Sequence, residues 1–155
     1  MALEIERRFL IKNDNWKKFI TKQISIEQGY LSKSLDDWII RIRFTGKDFK
    51  IALKKHIESF TNFEFEYSIP RKDGEIIMSN LSNTIKKERF FLNVEKKLWI
   101  IDCFKENNFP LEIAEIELSR EEENLILPSF ISKEITGLKH YSNFNLSNKP
   151  FSEWK

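Results

Sequence analysis

Charged side chains recur two apart along this chain, and each group carries a chemistry of its own. Glu4, Glu6 and Arg8 come first, followed by Arg41 and Arg43, Lys50 and Lys54, Glu64 and Glu66, Lys87 and Arg89, then Glu115 and Glu117; Asp102 stands alone in an apolar run. Clustered carboxylates repel one another unless a cation sits among them, and hard oxygen donors favour Mg²⁺, Mn²⁺ or Ca²⁺ over zinc. Clustered bases call for a polyanion. Arginine suits bidentate contact with phosphate oxygens, and four of the seven arginines (Arg8, Arg41, Arg43, Arg89) fall in this pattern. Together the two kinds of cluster describe a site for a metal-bound polyphosphate, neutralised partly by the metal and partly by Arg and Lys. No GxxxxGK[ST] segment occurs, so this is not a P-loop.

Strands are the elements that must position such residues, because side chains two apart along a strand share a face. Glu4, Glu6 and Arg8 then oppose Leu3, Ile5, Phe9 and Ile11, with Arg7 the one exception on the apolar side. Likewise Arg41 and Arg43 oppose Ile40, Ile42 and Phe44, while Glu64 and Glu66 oppose Phe63, Phe65 and Tyr67. The alternation predicts strands over 3–11, 24–33, 37–45, 48–57, 61–69, 84–92, 97–104 and 111–118. Helices are expected over 14–22, 72–81, 119–127 and 142–147, with Asp14 as an N-cap and Ser119 before an acidic first turn. This is an α+β chain, mainly β, and the strand count suggests an antiparallel barrel or sandwich with helices outside.

Two arrangements fit the alternation: an open sheet with its charged face in water, or a closed barrel with that face inside. Solvated strand faces normally mix Thr, Ser, Lys and Gln, whereas these positions are almost purely Arg, Lys and Glu, segregated by strand. If closed, the interior must be a watery channel, since unpaired charges removed from water cost several kcal/mol each.

Composition narrows the classes further. The 155 residues are one domain's worth, read as a single unit over 1–155. With 41% hydrophobic and 14% aromatic residues the chain can build a core, which excludes disorder as its main state. A net charge of +2 without any block of one sign offers no surface for nucleic acid. No apolar run approaches the ~18 residues of a membrane span, and an N-terminus charged from Glu4 onward is unlike a secretion signal, so a cytoplasmic location is expected. The single Cys103 excludes an internal disulfide and reads as an inert packing residue; two histidines leave little for a His-based metal site. His56 reads as a surface residue and Trp16, Trp38, Trp99 and Trp154 as core or helix-docking residues. Glu121-Glu122-Glu123 reads as the first turn of a solvated helix.

The segment Glu4-Ile5-Glu6-Arg7-Arg8-Phe9-Leu10 resembles the ExExK signature of the CYTH superfamily, the triphosphate tunnel metalloenzymes. Gln28-Gly29-Tyr30-Leu31, Arg41-Ile42-Arg43, Leu53-Lys54, Glu64-Phe65-Glu66, Lys87-Glu88-Arg89, Ile101-Asp102 and Glu115-Ile116-Glu117 follow in the family's order, and Lys139-His140-Tyr141-Ser142-Asn143 looks like its closing motif. The likeness spans nearly the whole chain. It implies an eight-stranded antiparallel closed β-barrel, a tunnel with a charged interior. It further implies that Glu4, Glu6, Glu115 and Glu117 hold Mg²⁺ or Mn²⁺, with Glu64 and Asp102 as ligands directly or through water. Arg41, Arg43, Lys54, Lys87, Arg89, Lys139 and His140 are implied to bind triphosphate, and Arg8, Glu6 and Glu66 to serve catalysis.

Short bacterial members with this signature are similar to inorganic triphosphatases, so the resemblance implies metal-dependent hydrolysis of a phosphoanhydride bond in inorganic tripolyphosphate or another triphosphate. Cyclisation of ATP, as in adenylate cyclases of the same superfamily, and sequestration of polyphosphate without turnover are the alternatives. The implied partner is a small-molecule triphosphate, not nucleic acid or membrane; a homodimer is expected from the family alone. Arg8 stands where most of the family has lysine, and His140 where the closing motif more often has arginine.

Overall fold

The computed structural model describes residues 2–34 and 36–155. Strands β1 (Leu3–Ile11), β2 (Ile20–Tyr30), β3 (Ile39–Phe44), β4 (Phe49–Glu58), β5 (Thr61–Ile69), β6 (Thr84–Val94), β7 (Lys97–Phe104), β8 (Glu112–Glu117) and β9 (Ile131–Glu134) form one sheet. Two α-helices accompany them, α1 (Arg71–Ser79) and α2 (Asn143–Asn148). The strands run in the order β5-β4-β3-β2-β6-β7-β8-β1, every pair antiparallel, and β1 returns to β5 through Leu3↔Phe63 and Ile5↔Thr61. That last pairing closes a barrel of eight, which removes its sheet edges. β9 is an addition, laid against the end of β1 at Phe9↔Glu134 and Ile11↔Ile131. It explains the one charge on the apolar side of β1: Arg7 points outward and donates to both carboxylate oxygens of Glu134, at 2.9 and 2.8 Å.

Two expected helices are absent. Over 14–22 only Asn15–Phe19 coils, as a 3-10 turn without a side-chain bond from Asp14, and Ile20 already opens β2 opposite Leu92. Ile20, Thr21 and Ile24 are β-branched, and the long ladder to β6 suits their stiff side chains better than a helix does. Over 119–127 the acidic run forms a turn and extended chain. Glu123 bends back there, accepting from the Ser119 N–H at 2.9 Å and its hydroxyl at 2.8 Å, and pairs with Lys97 at 2.6 Å. The segments expected over 72–81 and 142–147 do coil, as α1 and α2; the Ser142 hydroxyl caps α2 by accepting from the Asn145 N–H at 3.1 Å. Among the described residues no helix is long and apolar enough to cross a membrane.

Apolar packing occurs in two places. Phe9, Trp99, Ile101, Ala114 and Ile116 face outward from β1, β7 and β8 and are covered by Trp16 and Phe130. The second cluster lies inside the barrel. Ile85, Phe104 and Ile113 take the lumen-facing positions next to Lys87, Asp102 and Glu115, and Leu146 of α2 packs onto them. The channel is therefore stoppered at one end. On the outer wall, α1 sits directly on β4 because Gly74 has no side chain: a methyl there would overlap the Phe49 ring.

Candidate active site

Inward parity on six of the strands delivers eleven charged residues to one cavity of about 620 Å³. Glu4, Glu6 and Arg8 enter from β1, Arg41 and Arg43 from β3, Lys54 from β4, Glu64 from β5, Lys87 and Arg89 from β6, and Glu115 and Glu117 from β8. The volume is that of an ordinary small-ligand site. Four other expected site residues do not line the cavity. Asp102 faces the lumen but is covered by Arg89 and Lys87, with no exposure, and both its oxygens are occupied: Arg89 donates to Oδ1 at 2.8 Å and to Oδ2 at 2.9 Å, and Lys87 to Oδ2 at 2.8 Å. It is a counter-ion there, with no oxygen turned to the cavity. Glu66 sits beyond the cavity lining and pairs with Arg41 at 3.0 Å and Lys50 at 3.5 Å. Lys139 and His140 are exposed outside the stopper, where the His140 ring packs on Tyr141 and Trp154 with centroids 4.5 and 5.1 Å apart.

Acids and bases inside are paired, but incompletely. Lys54 meets Glu4 at 2.6 Å, Arg41 meets Glu64 at 3.5 Å, and Arg8 lies 3.5 Å from Glu115 and 3.9 Å from Glu6. Arg8 Nη2 and Arg41 Nε are buried with no hydrogen-bond partner. Two unsatisfied guanidinium donors aimed away from water suit an anion with many acceptor oxygens.

Protonation follows from this crowding. Burial, then the neighbouring Glu115 and Glu4 carboxylates, push the Glu6 carboxyl up to about 8. Glu117 is also raised, by burial and then Glu4. On the basic side, burial with Arg89 and Arg43 close by pushes the Lys87 ammonium down to about 7, and burial with Arg41 and Arg89 lowers Arg43. Burial works against the Asp102 carboxylate too, yet Arg89 and Lys87 outweigh it and hold the group well below the usual carboxylate range. One stretch of lumen thus holds excess negative charge and another excess positive charge. Among the described residues no three Asp, Glu, His or Cys side chains converge as a ready-made cation cage. The acidic stretch nevertheless suits a dication, since hard oxygen donors are present and a cation would offset the burial and the carboxylate repulsion that raise Glu6.

Three neutral polar residues complete the wall without having announced themselves by charge. Gln28 accepts from Arg43 Nε at 2.9 Å and donates to the Tyr30 hydroxyl at 2.8 Å, and Asn143 accepts from Lys87 at 3.0 Å. Their signal was the family-like Gln28-Gly29-Tyr30-Leu31 and closing segments; periodicity gives none for uncharged groups. His56, expected on the surface, stands at the open mouth of the cavity, 3.3 Å from Asn62 Oδ1.

No family model matches this chain. It is similar to an inorganic triphosphatase of Acetivibrio thermocellus, 31% identical over 157 residues that cover 100% of this chain and 99% of the relative. An inorganic triphosphatase of Nitrosomonas europaea is 26% identical over 90% of this chain and 93% of its own. Among solved structures, the crystal structure of an inorganic triphosphatase superposes with a TM-score of 0.69 at 26% identity, covering 95% of each chain.

Proposed function

The chain belongs to the inorganic triphosphatases of the CYTH superfamily, as identity along its full length with one of them shows, and on that premise we propose that it hydrolyses inorganic tripolyphosphate with the help of a divalent metal ion. The observation that carries this reading is the division of one cavity into a basic stretch with unsatisfied donors and an acidic stretch in which burial and then the neighbouring carboxylates push the Glu6 carboxyl up.

Arg41, Arg43, Lys87 and Arg89 take the phosphate oxygens, and the anion's charge in turn restores full protonation to Lys87. Arg8 adds the Nη2 donor; as an always-charged, planar group it stabilises charge rather than delivering a proton. Glu4, Glu6, Glu115 and Glu117 would hold Mg²⁺ or Mn²⁺, which supplies electrostatic neutralisation of the phosphate oxygens. Water attacks the terminal phosphorus, its new O–P bond forming as the bond to the bridging oxygen breaks; pyrophosphate leaves with that electron pair and the water's proton passes to a carboxylate or solvent. Little covalent chemistry is asked of the protein, so orientation and charge complementarity do most of the catalysis. The stopper leaves a single mouth, so anything attached to the triphosphate must project past His56 and Leu98.

The test is a phosphate-release screen with tripolyphosphate, pyrophosphate, ATP and thiamine triphosphate, each with Mg²⁺, Mn²⁺ or Ca²⁺. Tripolyphosphate should lead and EDTA should abolish release. Cyclic AMP from ATP, or tight tripolyphosphate binding without any turnover, would overturn the reading.

A further inference from the structure

The segment that stoppers the barrel also reaches the basic wall of the cavity. Arg8 Nη1 donates to the Tyr141 carbonyl at 3.0 Å. Arg43 is held by Gln28, which is bonded to Tyr30, and the Tyr30 ring meets Phe144 of α2 edge-on at 5.6 Å. Lys87, fully buried, donates to Asp102 at 2.8 Å and to Asn143 Oδ1 at 3.0 Å.

The last contact satisfies a buried donor but takes no part in closing the helix itself. The cap of α2 is Ser142, not Asn143, and the stopper's apolar packing runs through Leu146. An ammonium has three N–H groups, and Lys87 commits two, one to the barrel wall and one to the closing helix. With the Asp102 bond alone the ammonium would be free to turn about that contact, since a lysine head is a compact group with three rotatable donors. A neutral acceptor on the closing helix fixes that rotation without cancelling the positive charge that phosphate needs; a carboxylate in its place would cancel it.

We propose that Asn143 is a positioning residue for triphosphate binding, its side-chain carbonyl taking a second N–H of the Asp102-bound Lys87 ammonium and so fixing the direction of the third, which remains for a phosphate oxygen. This rests on the triphosphatase reading above. It makes the closing helix part of the substrate site through Lys87.

Initial rates over a range of tripolyphosphate concentrations test the idea in Asn143→Leu, Asn143→Gln, Lys87→Met and the Asn143→Leu/Lys87→Met double variant, with melting temperatures measured alongside. Asn143→Leu should raise KM about tenfold, the cost of one hydrogen bond to a charged group, with kcat within about twofold of the parent. Asn143→Gln, which keeps an amide acceptor, should recover most of the affinity. In the Lys87→Met background the same Leu substitution should change nothing further, because its effect runs through the lysine. An equal penalty in both backgrounds, or a loss confined to kcat and melting temperature, would overturn the proposal. A readout free of substrate is the lysine ammonium resonance in ¹⁵N-lysine protein: Lys87 should be protected from solvent exchange in the parent and lose that protection in Asn143→Leu. A parent without tripolyphosphate turnover counts against the function, while the resonance still decides the Asn143 contact.

Discussion

Arg89 grips Asp102 through two parallel N–H bonds, Nε to Oδ1 at 2.8 Å and Nη2 to Oδ2 at 2.9 Å, and the carboxylate is wholly out of water. With Lys87 on the same oxygen as Nη2, a single acid neutralises two members of the basic wall.

Asp102→Asn should therefore unfold easily, because it leaves two buried cations facing each other across a neutral amide. The expected loss is about 3–5 kcal/mol, a fall in melting temperature on the order of 10 °C. The carboxyl is held below its ordinary range, so its stabilisation is present at neutral pH and is lost only as strong acid protonates the folded state. A melting temperature unchanged by the substitution would remove Asp102 from the centre of this network.

Glu6 works in the opposite direction. Its folded value near 8 exceeds the ordinary 4.5, so the fold prefers the protonated form, and stability without ligand should decline as pH rises between those values. Glu6→Gln should lessen that decline, leaving the part due to Glu117, and raise the ligand-free melting temperature by a few degrees while cutting turnover at least tenfold. Adding Mn²⁺ to the weakly buffered parent near pH 7 should release protons, a release the variant lacks. A variant as active as the parent contradicts the role proposed for Glu6.

Tripolyphosphate affinity should weaken as pH climbs through about 7, where the free protein's Lys87 loses its proton, and binding above that point should take a proton up. Calorimetry in buffers of differing ionisation enthalpy measures the uptake. Lys87→Met should bind about 10- to 100-fold more weakly and lose this component of proton uptake; equal uptake in the two proteins would assign it to another group.

Gly74→Ala would ordinarily help a helix by about 1 kcal/mol. Here the added methyl must displace Phe49 or lift α1 from the wall, and we expect a net loss of about 1–3 kcal/mol in denaturant unfolding. A gain in stability would mean that the helix stands further off than its contacts indicate.

The strands were legible because Arg, Lys and Glu recur with a period of two, but an open sheet with its charged face in water fits that alternation as well, and closure into a barrel was what the family resemblance implied. Where two periods competed, the reading failed. Ile20-Thr21-Lys22-Gln23-Ile24 suits a helix or a strand locally, and only the partner β6 decides between them. Over 119–127 the acidic run had a plausible first turn, but Glu123 bonds Ser119 and Lys97 instead of continuing a helix. β9 has four residues, too few for a pattern. Within the site, inward parity placed eleven of the expected residues around the cavity, from Glu4 on β1 to Glu117 on β8. Parity could not distinguish Asp102, buried under Arg89, from a carboxylate open to the channel, because both lie on the same face. Nor could it show that Ile85, Phe104 and Ile113 meet at one level, since that depends on the stagger between strands.

β1 carries Glu4, Glu6 and Arg8, yet its partners are β5, β8 and β9, all much later in the chain. β1 can meet β5 as soon as that strand is made, but its ladder to β8 waits until β8 has been synthesised, so barrel closure is a late, long-range event in folding. Catalytic competence and completion of the fold coincide at this one seam, so a nascent chain truncated before β8 holds only half of the acidic stretch and cannot turn over substrate prematurely.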